Sequence, residues 1–148
     1  IVIIVRRVIF KKIIILSMSL IMILILQGFL YSKLMQKSVH LNISKEDIAD
    51  IQVYGSAGTK KIEDVAMIDN IIKWFNQVGD IRVNKDFAGT TPESGIEINL
   101  KSGKRILILN SGSDFEIQRN DVIPENVSYW ARQQDIKDYL QGLIEGGN

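Results

Sequence analysis

Residues 13–31 read IIILSMSLIMILILQGFLY, nineteen consecutive positions without a charge, twelve of them Ile, Leu or Phe. As an α-helix rising ~1.5 Å per residue the run is about 28 Å long, close to the hydrocarbon thickness of a bilayer. Each large apolar side chain favours insertion by roughly 0.3–0.6 kcal/mol near the helix centre, a sum that easily offsets the single amide of Gln27. Such a run constrains the chain more than any other feature. It predicts a membrane-spanning helix and leaves the remaining residues to fold around a core of their own.

The flanking charges set an expected orientation. Arg6, Arg7, Lys11 and Lys12 precede the run, and no Asp or Glu occurs before Glu46. Lys33 and Lys37 follow it, so four basic residues stand against two and the positive-inside rule places the N-terminus in the cytoplasm. A cleaved signal peptide is the competing reading. Its apolar core would be shorter, with small residues before the cut, and Leu30-Tyr31-Ser32 is a poor match. The chain opens on Ile, and a start at Val5 would leave a conventional short basic n-region. The expected organisation is a basic cytoplasmic region (1–12), a transmembrane anchor (13–31), a juxtamembrane stalk (32–42) and an extracytoplasmic domain (43–148). The stalk, fully extended, spans at most ~40 Å.

Charge is divided unevenly along the chain. Residues 1–37 carry six Lys/Arg and no acid, whereas residues 38–148 carry twelve Lys/Arg and seventeen Asp/Glu, a net charge of −5. An acidic domain has no field to attract nucleic acid, and no nucleic-acid partner is expected. With no Cys the chain has neither a disulfide nor a thiolate metal site.

Hydrophobic periodicity in residues 43–148 alternates between strand and helix. Ser44 and Asp47 suggest a capping box opening a helical turn over 45–49. Ile51 and Val53 alternate with Gln52 and Tyr54, predicting a strand over 50–55, and Gly55 to Gly58 a turn into a short strand at 60–63. Val65, Ile68, Ile71, Ile72, Phe75 and Val78 recur at helical spacing, with Asp64 placed as N-cap and Gly79 as stop. Strands are expected at 80–84, 96–100, 106–109 and 115–118, the last three joined by Ser-Gly turns as a meander. Val127 to Trp130 reads as a further edge strand or the approach to a helix, and 135–144 as a closing helix. The expected fold class is α+β: one N-terminal transmembrane helix, then an antiparallel sheet with two helices packed on one face.

The phrases ISKEDIADIQVY (43–54), DNIIKWFNQV (69–78), GIEINLKSGKRILI (95–108) and DIKDYL (135–140) together resemble small uncharacterised extracytoplasmic modules of Firmicutes, domains of unknown function carried on a single N-terminal helix. The resemblance covers most of 43–145. It implies a domain class and a location, and it carries over no catalytic residue.

The chemical inventory is short. His40 is the only His and falls in the stalk, so a Ser-His-Asp triad within the domain and a His-based zinc site are both unsupported. No glycine-rich phosphate cradle occurs. Carboxylates remain: Asp114 and Glu116 lie two apart on a strand and so on one face, with Asp121 and Glu125 nearby, a set from which a glycan hydrolase or a cation site would have to be built. No catalytic residue, cofactor or metal is assigned. Contact residues are expected in two places. One is the hydroxyl-rich loop 86–95, with Phe87, Thr90, Thr91 and Glu93. The other is the Arg119, Tyr129 and Trp130 group, residue types that dominate binding hot spots. The expected function is a membrane-anchored extracytoplasmic binding or regulatory module, touching the bilayer through 13–31 and taking a protein partner or a small envelope ligand. The alternatives are an envelope protein-interaction or immunity-like protein and, further off, a carboxylate-based cell-wall hydrolase.

Overall fold

The computed structural model describes residues 2–83, 91–123 and 125–146. It divides into two compact units, residues 1–37 and residues 38–148.

The first unit is made by helix α1 (Val2–Val39), whose last residues enter the second unit. Its stretch Lys11–Tyr31 is long and apolar enough to cross a membrane. Every large apolar side chain along it is exposed. Ser17 and Ser19 donate their hydroxyls to the carbonyls of Ile14 and Ile15, each at 2.8 Å, so neither presents a bare donor to lipid.

The second unit is an α+β domain, as expected. Strands β1 (Ile48–Gly55), β2 (Gly58–Lys61), β3 (Gly79–Val83), β4 (Gly95–Leu100), β5 (Arg105–Ser111), β6 (Asp114–Arg119) and β7 (Val127–Arg132) form one antiparallel sheet in the order β2-β1-β4-β5-β6-β7-β3. The sheet is open, and helices α2 (Val65–Asn76) and α3 (Gln134–Glu145) cover one face of it. The turns follow from their residues: Gly58, Gly103 and Gly112 supply the positive φ that the three hairpin corners require. Asp64 caps α2 as expected, its carboxylate accepting from Ala66 N–H at 2.9 Å, and Gln133 caps α3 by accepting from Ile136 N–H at 2.7 Å.

Alternation sorts the sheet into two faces. One register row under the helices reads Val53, Ile96, Ile108, Ile117 and Tyr129, and the next reads Ile51, Ile98, Ile106, Arg119 and Val127. All ten side chains are buried. Ile71, Ile72 and Phe75 of α2 and Ile136 and Leu140 of α3 close the core. Burying these side chains contributes roughly 1.5–3 kcal/mol each.

Three local expectations change. The turn after Ser44 is a single 3-10 turn, Lys45–Asp47, and the Ser44 hydroxyl bonds Glu46 instead of capping. Strand β1 therefore starts at Ile48. Strand β7 is interior and longer than expected, because β3 pairs along its outer side and takes the edge position. The end of the expected stalk, finally, is part of the second unit: Val39 is a core residue.

Candidate functional site

The face of the sheet turned away from the helices is the candidate site. One row across it reads Tyr54, Gly95, Leu109, Glu116, Trp130 and Arg82, and the next reads Gln52, Glu97, Leu107, Gln118 and Ser128. Tyr54, Leu107, Leu109 and Trp130 are half-buried, and the Tyr54 ring lies over Gly95, where a Cβ would come within 2.5 Å of it. Glu116 is only 9% exposed and accepts from the Ser128 hydroxyl across the β6–β7 pair. The surface thus mixes aromatic and aliphatic area with satisfied polar groups.

A charged cluster ends this face. Asp114 accepts from Arg132 Nε at 2.6 Å and from the Arg82 guanidinium, while Arg132 also pairs with Asp80 at 3.1 Å. Arg132, and then Arg82, hold the Asp114 carboxyl below the usual carboxylate range despite its burial. Asp80 sits at the irregularity in the β3–β7 pairing with φ +49°, a left-handed conformation that brings its carboxylate to Arg132. Beside the cluster Lys137 Nζ donates to Asn110 Oδ1 at 2.5 Å and to the Gly112 carbonyl. Asp114, Arg132, Gln133 and Lys137 line a hollow of about 380 Å³.

The expected contact residues separate. Phe87 and Thr90 lie outside the described residues. Thr91 and Glu93 are exposed just before Ser94, which is itself buried and donates to the Leu140 carbonyl at 2.8 Å. Trp130 stands on the open face. Arg119 and Tyr129 do not, and neither presents its side chain to a partner: Arg119 is 2% exposed and Tyr129 fully buried. The alternation already carried this signal. Arg119 follows Phe115 and Ile117 in the inward phase of β6, and Tyr129 falls between Val127 and Ala131 in the inward phase of β7.

These two residues hold the segment that enters the domain from α1. Tyr129 Oη lies 2.7 Å from His40 Nδ1, and His40 Nε2 lies 3.0 Å from the Phe75 carbonyl oxygen. Arg119 donates to the Leu41 carbonyl at 2.6 Å, clasps Asp121 in a bidentate pair at 2.9 and 2.7 Å, and stacks 5.2 Å from the centre of the Phe75 ring. Asn76 completes the clasp, accepting from Ile43 N–H and donating to Ile43 O, both at 2.9 Å. Burial, reinforced by the Arg119 charge, pushes the His40 pKa down to about 4, against the opposing hydrogen bond to Phe75. The sequence marks His40 only as a stalk residue without a triad or zinc role, and it does not mark Arg82, Arg132 or Lys137. A lone His and isolated cations carry no spacing signal.

Asp114 and Glu116 do share a face, but Asp114 is ionised between two arginines and unsuited to donate a proton as a general acid. Asp121 is committed to Arg119. Among the described residues no three His, Cys, Asp or Glu side chains converge as a metal site would require. Compared with known proteins, the chain matches no family model, no curated protein and no solved structure.

Proposed function

We propose that the chain is a single-pass, membrane-anchored binding module without catalytic activity, its N-terminus cytoplasmic and its α+β domain outside the cell. The observation that carries this reading is the exposed apolar stretch Lys11–Tyr31. An unbroken apolar surface of that length needs a cover, and a bilayer matches it in length and chemistry. Arg6, Arg7, Lys11 and Lys12 supply the inside-positive flank. The resemblance to extracytoplasmic Firmicutes modules agrees with both.

The contact surface in this reading is the open face of the sheet, and the partner is a protein. The face combines Trp130, Tyr54 and Arg82, residue types enriched where proteins bind one another. The hollow beside Leu107, Gln118 and Ser128 measures about 110 Å³, below what encloses a drug-sized ligand, and the larger hollow of about 380 Å³ at the charged end has Phe115 as its one apolar side chain, unlike the mostly apolar lining of small-molecule sites. This observation favours the envelope protein-interaction form of the reading over a small-ligand sensor. The test is affinity capture of tagged full-length protein from gently solubilised native membranes, alongside Leu109→Arg on the open face and Lys60→Glu on exposed β2. A partner retained by wild type and Lys60→Glu but lost with Leu109→Arg supports the reading. A partner indifferent to Leu109→Arg moves the contact elsewhere.

A further inference from the structure

We propose that residues 39–43 form a pH-operated latch, packed into the domain while His40 is neutral and released when it takes up a second ring proton. The hydrogen bonds around the ring fix the tautomer of its neutral form. The Phe75 carbonyl can only accept, so His40 Nε2 carries the hydrogen of that bond. Nδ1 of the neutral ring then accepts from the Tyr129 hydroxyl. The Arg119 guanidinium interacts electrostatically with the same hydroxyl. The result is a directed chain, Tyr129 to His40 to Phe75 O, in which each donor meets an acceptor. A proton on Nδ1 reverses that bond: the Tyr129 hydroxyl must accept from the ring and turn its own hydrogen away from His40. It also places a second cation near Arg119, whose only carboxylate partner in the cluster, Asp121, is already clasped.

The groups facing His40 come from every neighbouring element: Phe75 from α2, Arg119 and Asp121 from the end of β6 and the residue run after it, and Tyr129 from β7. None is a free carboxylate able to accept the imidazolium proton. Release relieves the conflict by letting the ring reach water, because His40 lies at the entry of the chain into the domain and not between two strands. Its neighbours Leu41 and Asn42 are already exposed. What opposes release is a short set of contacts: Val39 and Ile43 in the core, Leu41 O on Arg119 and the paired bonds of Ile43 with Asn76. The proposal concerns residues 38–148 alone and stands whether or not the domain is extracytoplasmic. Outside the cell it would report the pH at the membrane surface.

The chain has one His and no Cys, which makes the test direct. Full-length protein in detergent micelles carries a single spin label at Asn42→Cys, or in a second sample at the exposed β2 residue Thr59→Cys, and EPR line shapes are recorded from pH 7.5 to 4. NMR follows the single His ring over the same range. The expected result is a mobile component at position 42 that grows with the same midpoint as the His40 titration, with position 59 unchanged. The ratio of released to packed segment should rise by about 140-fold between pH 7.5 and 4. His40→Gln, which bonds without titrating, should abolish the change. A label at 42 that stays immobile while His40 titrates overturns the latch. So does a mobile component that appears at 42 and 59 together, which is global unfolding, or one that persists in His40→Gln. Should His40→Gln fail to fold, the comparison of the two midpoints in wild type decides the matter by itself.

Discussion

The Tyr129 hydroxyl sits 2.7 Å from His40 Nδ1, joining an interior strand of the sheet to the segment by which the chain enters the domain, 89 positions earlier. One phenol oxygen thereby couples β7, the Arg119 guanidinium and the end of α1. Removing it while keeping the ring leaves His40 Nδ1 short of its partner in a part-buried setting. Tyr129→Phe is therefore expected to cost about 1–3 kcal/mol. Urea unfolding of the full-length protein followed by Trp fluorescence measures it, since Trp74 and Trp130 both lie in the domain. A cost near zero would mean that the hydroxyl contributes no net bond.

Two arginine–aspartate pairs should behave very differently. The Arg119 side chain is 1% exposed in its pair with Asp121, whereas that of Arg82 is 48% exposed in its pair with Asp114. Arg119→Ala strands Asp121 and the Leu41 carbonyl and opens a gap beside Phe75, at an expected cost of about 3–5 kcal/mol. Arg82→Ala leaves Asp114 with Arg132 and should cost less than about 1 kcal/mol. Equal costs for the two would show that the Arg119 clasp is as solvent-screened as the surface pair.

Acid should weaken the fold in two separate windows. His40 has a folded pKa of about 4, below its unfolded value near 6.5, so the unfolded chain binds the extra proton first. Its contribution is complete above pH 6.5, falls between 6.5 and 4, and does not change further below. The total loss is roughly 3 kcal/mol. Asp114, held below its ordinary range by Arg132, loses its contribution only below about pH 4. Unfolding free energies of wild type and His40→Gln measured from pH 8 to 4 should diverge through the upper window, and parallel curves would contradict the assignment.

Two glycines are predicted to differ in tolerance. A Cβ at Gly55 would strike the backbone of Leu143 in α3, and one at Gly95 would strike the Tyr54 ring. Backbone of a packed helix cannot move aside, whereas a tyrosine ring can rotate. Gly55→Ala should thus cost about 1–3 kcal/mol, with no relief from changes at Tyr54. Gly95→Ala should cost less and be relieved by Tyr54→Ala. Thermal unfolding of the three single variants and the Gly95/Tyr54 double variant tests the contrast.

Much of this architecture is legible in the chain because it is written in local periodicity. Val65 to Phe75 mark a helix by spacing, and Ile96 to Leu109 mark a hairpin by alternation around a Ser-Gly turn. The order of strands is not local. Nothing near Val127 announces that β3, more than forty positions earlier, will pair along its outer side. The misplacement of Arg119 and Tyr129 has the same root. Residue type marks them for a surface, whereas their phase in β6 and β7 turns them inward. The consequence of that burial, a clasp on residues 39–43, depends on a contact across 89 positions that no local pattern encodes.

The central claim is that α1 anchors the chain in a membrane with the domain on the far side from the basic N-terminus. The absence of Cys permits a direct measurement, with single cysteines at Ser102, in the exposed β4–β5 turn, and at Val8 in the basic region. Intact cells producing each full-length variant are treated with a membrane-impermeant maleimide, before and after permeabilisation. Ser102→Cys is expected to label in intact cells and Val8→Cys only after permeabilisation, with both proteins remaining in alkali-washed membranes. Labelling of Ser102→Cys only after permeabilisation, or recovery of the protein in the soluble fraction, would contradict it.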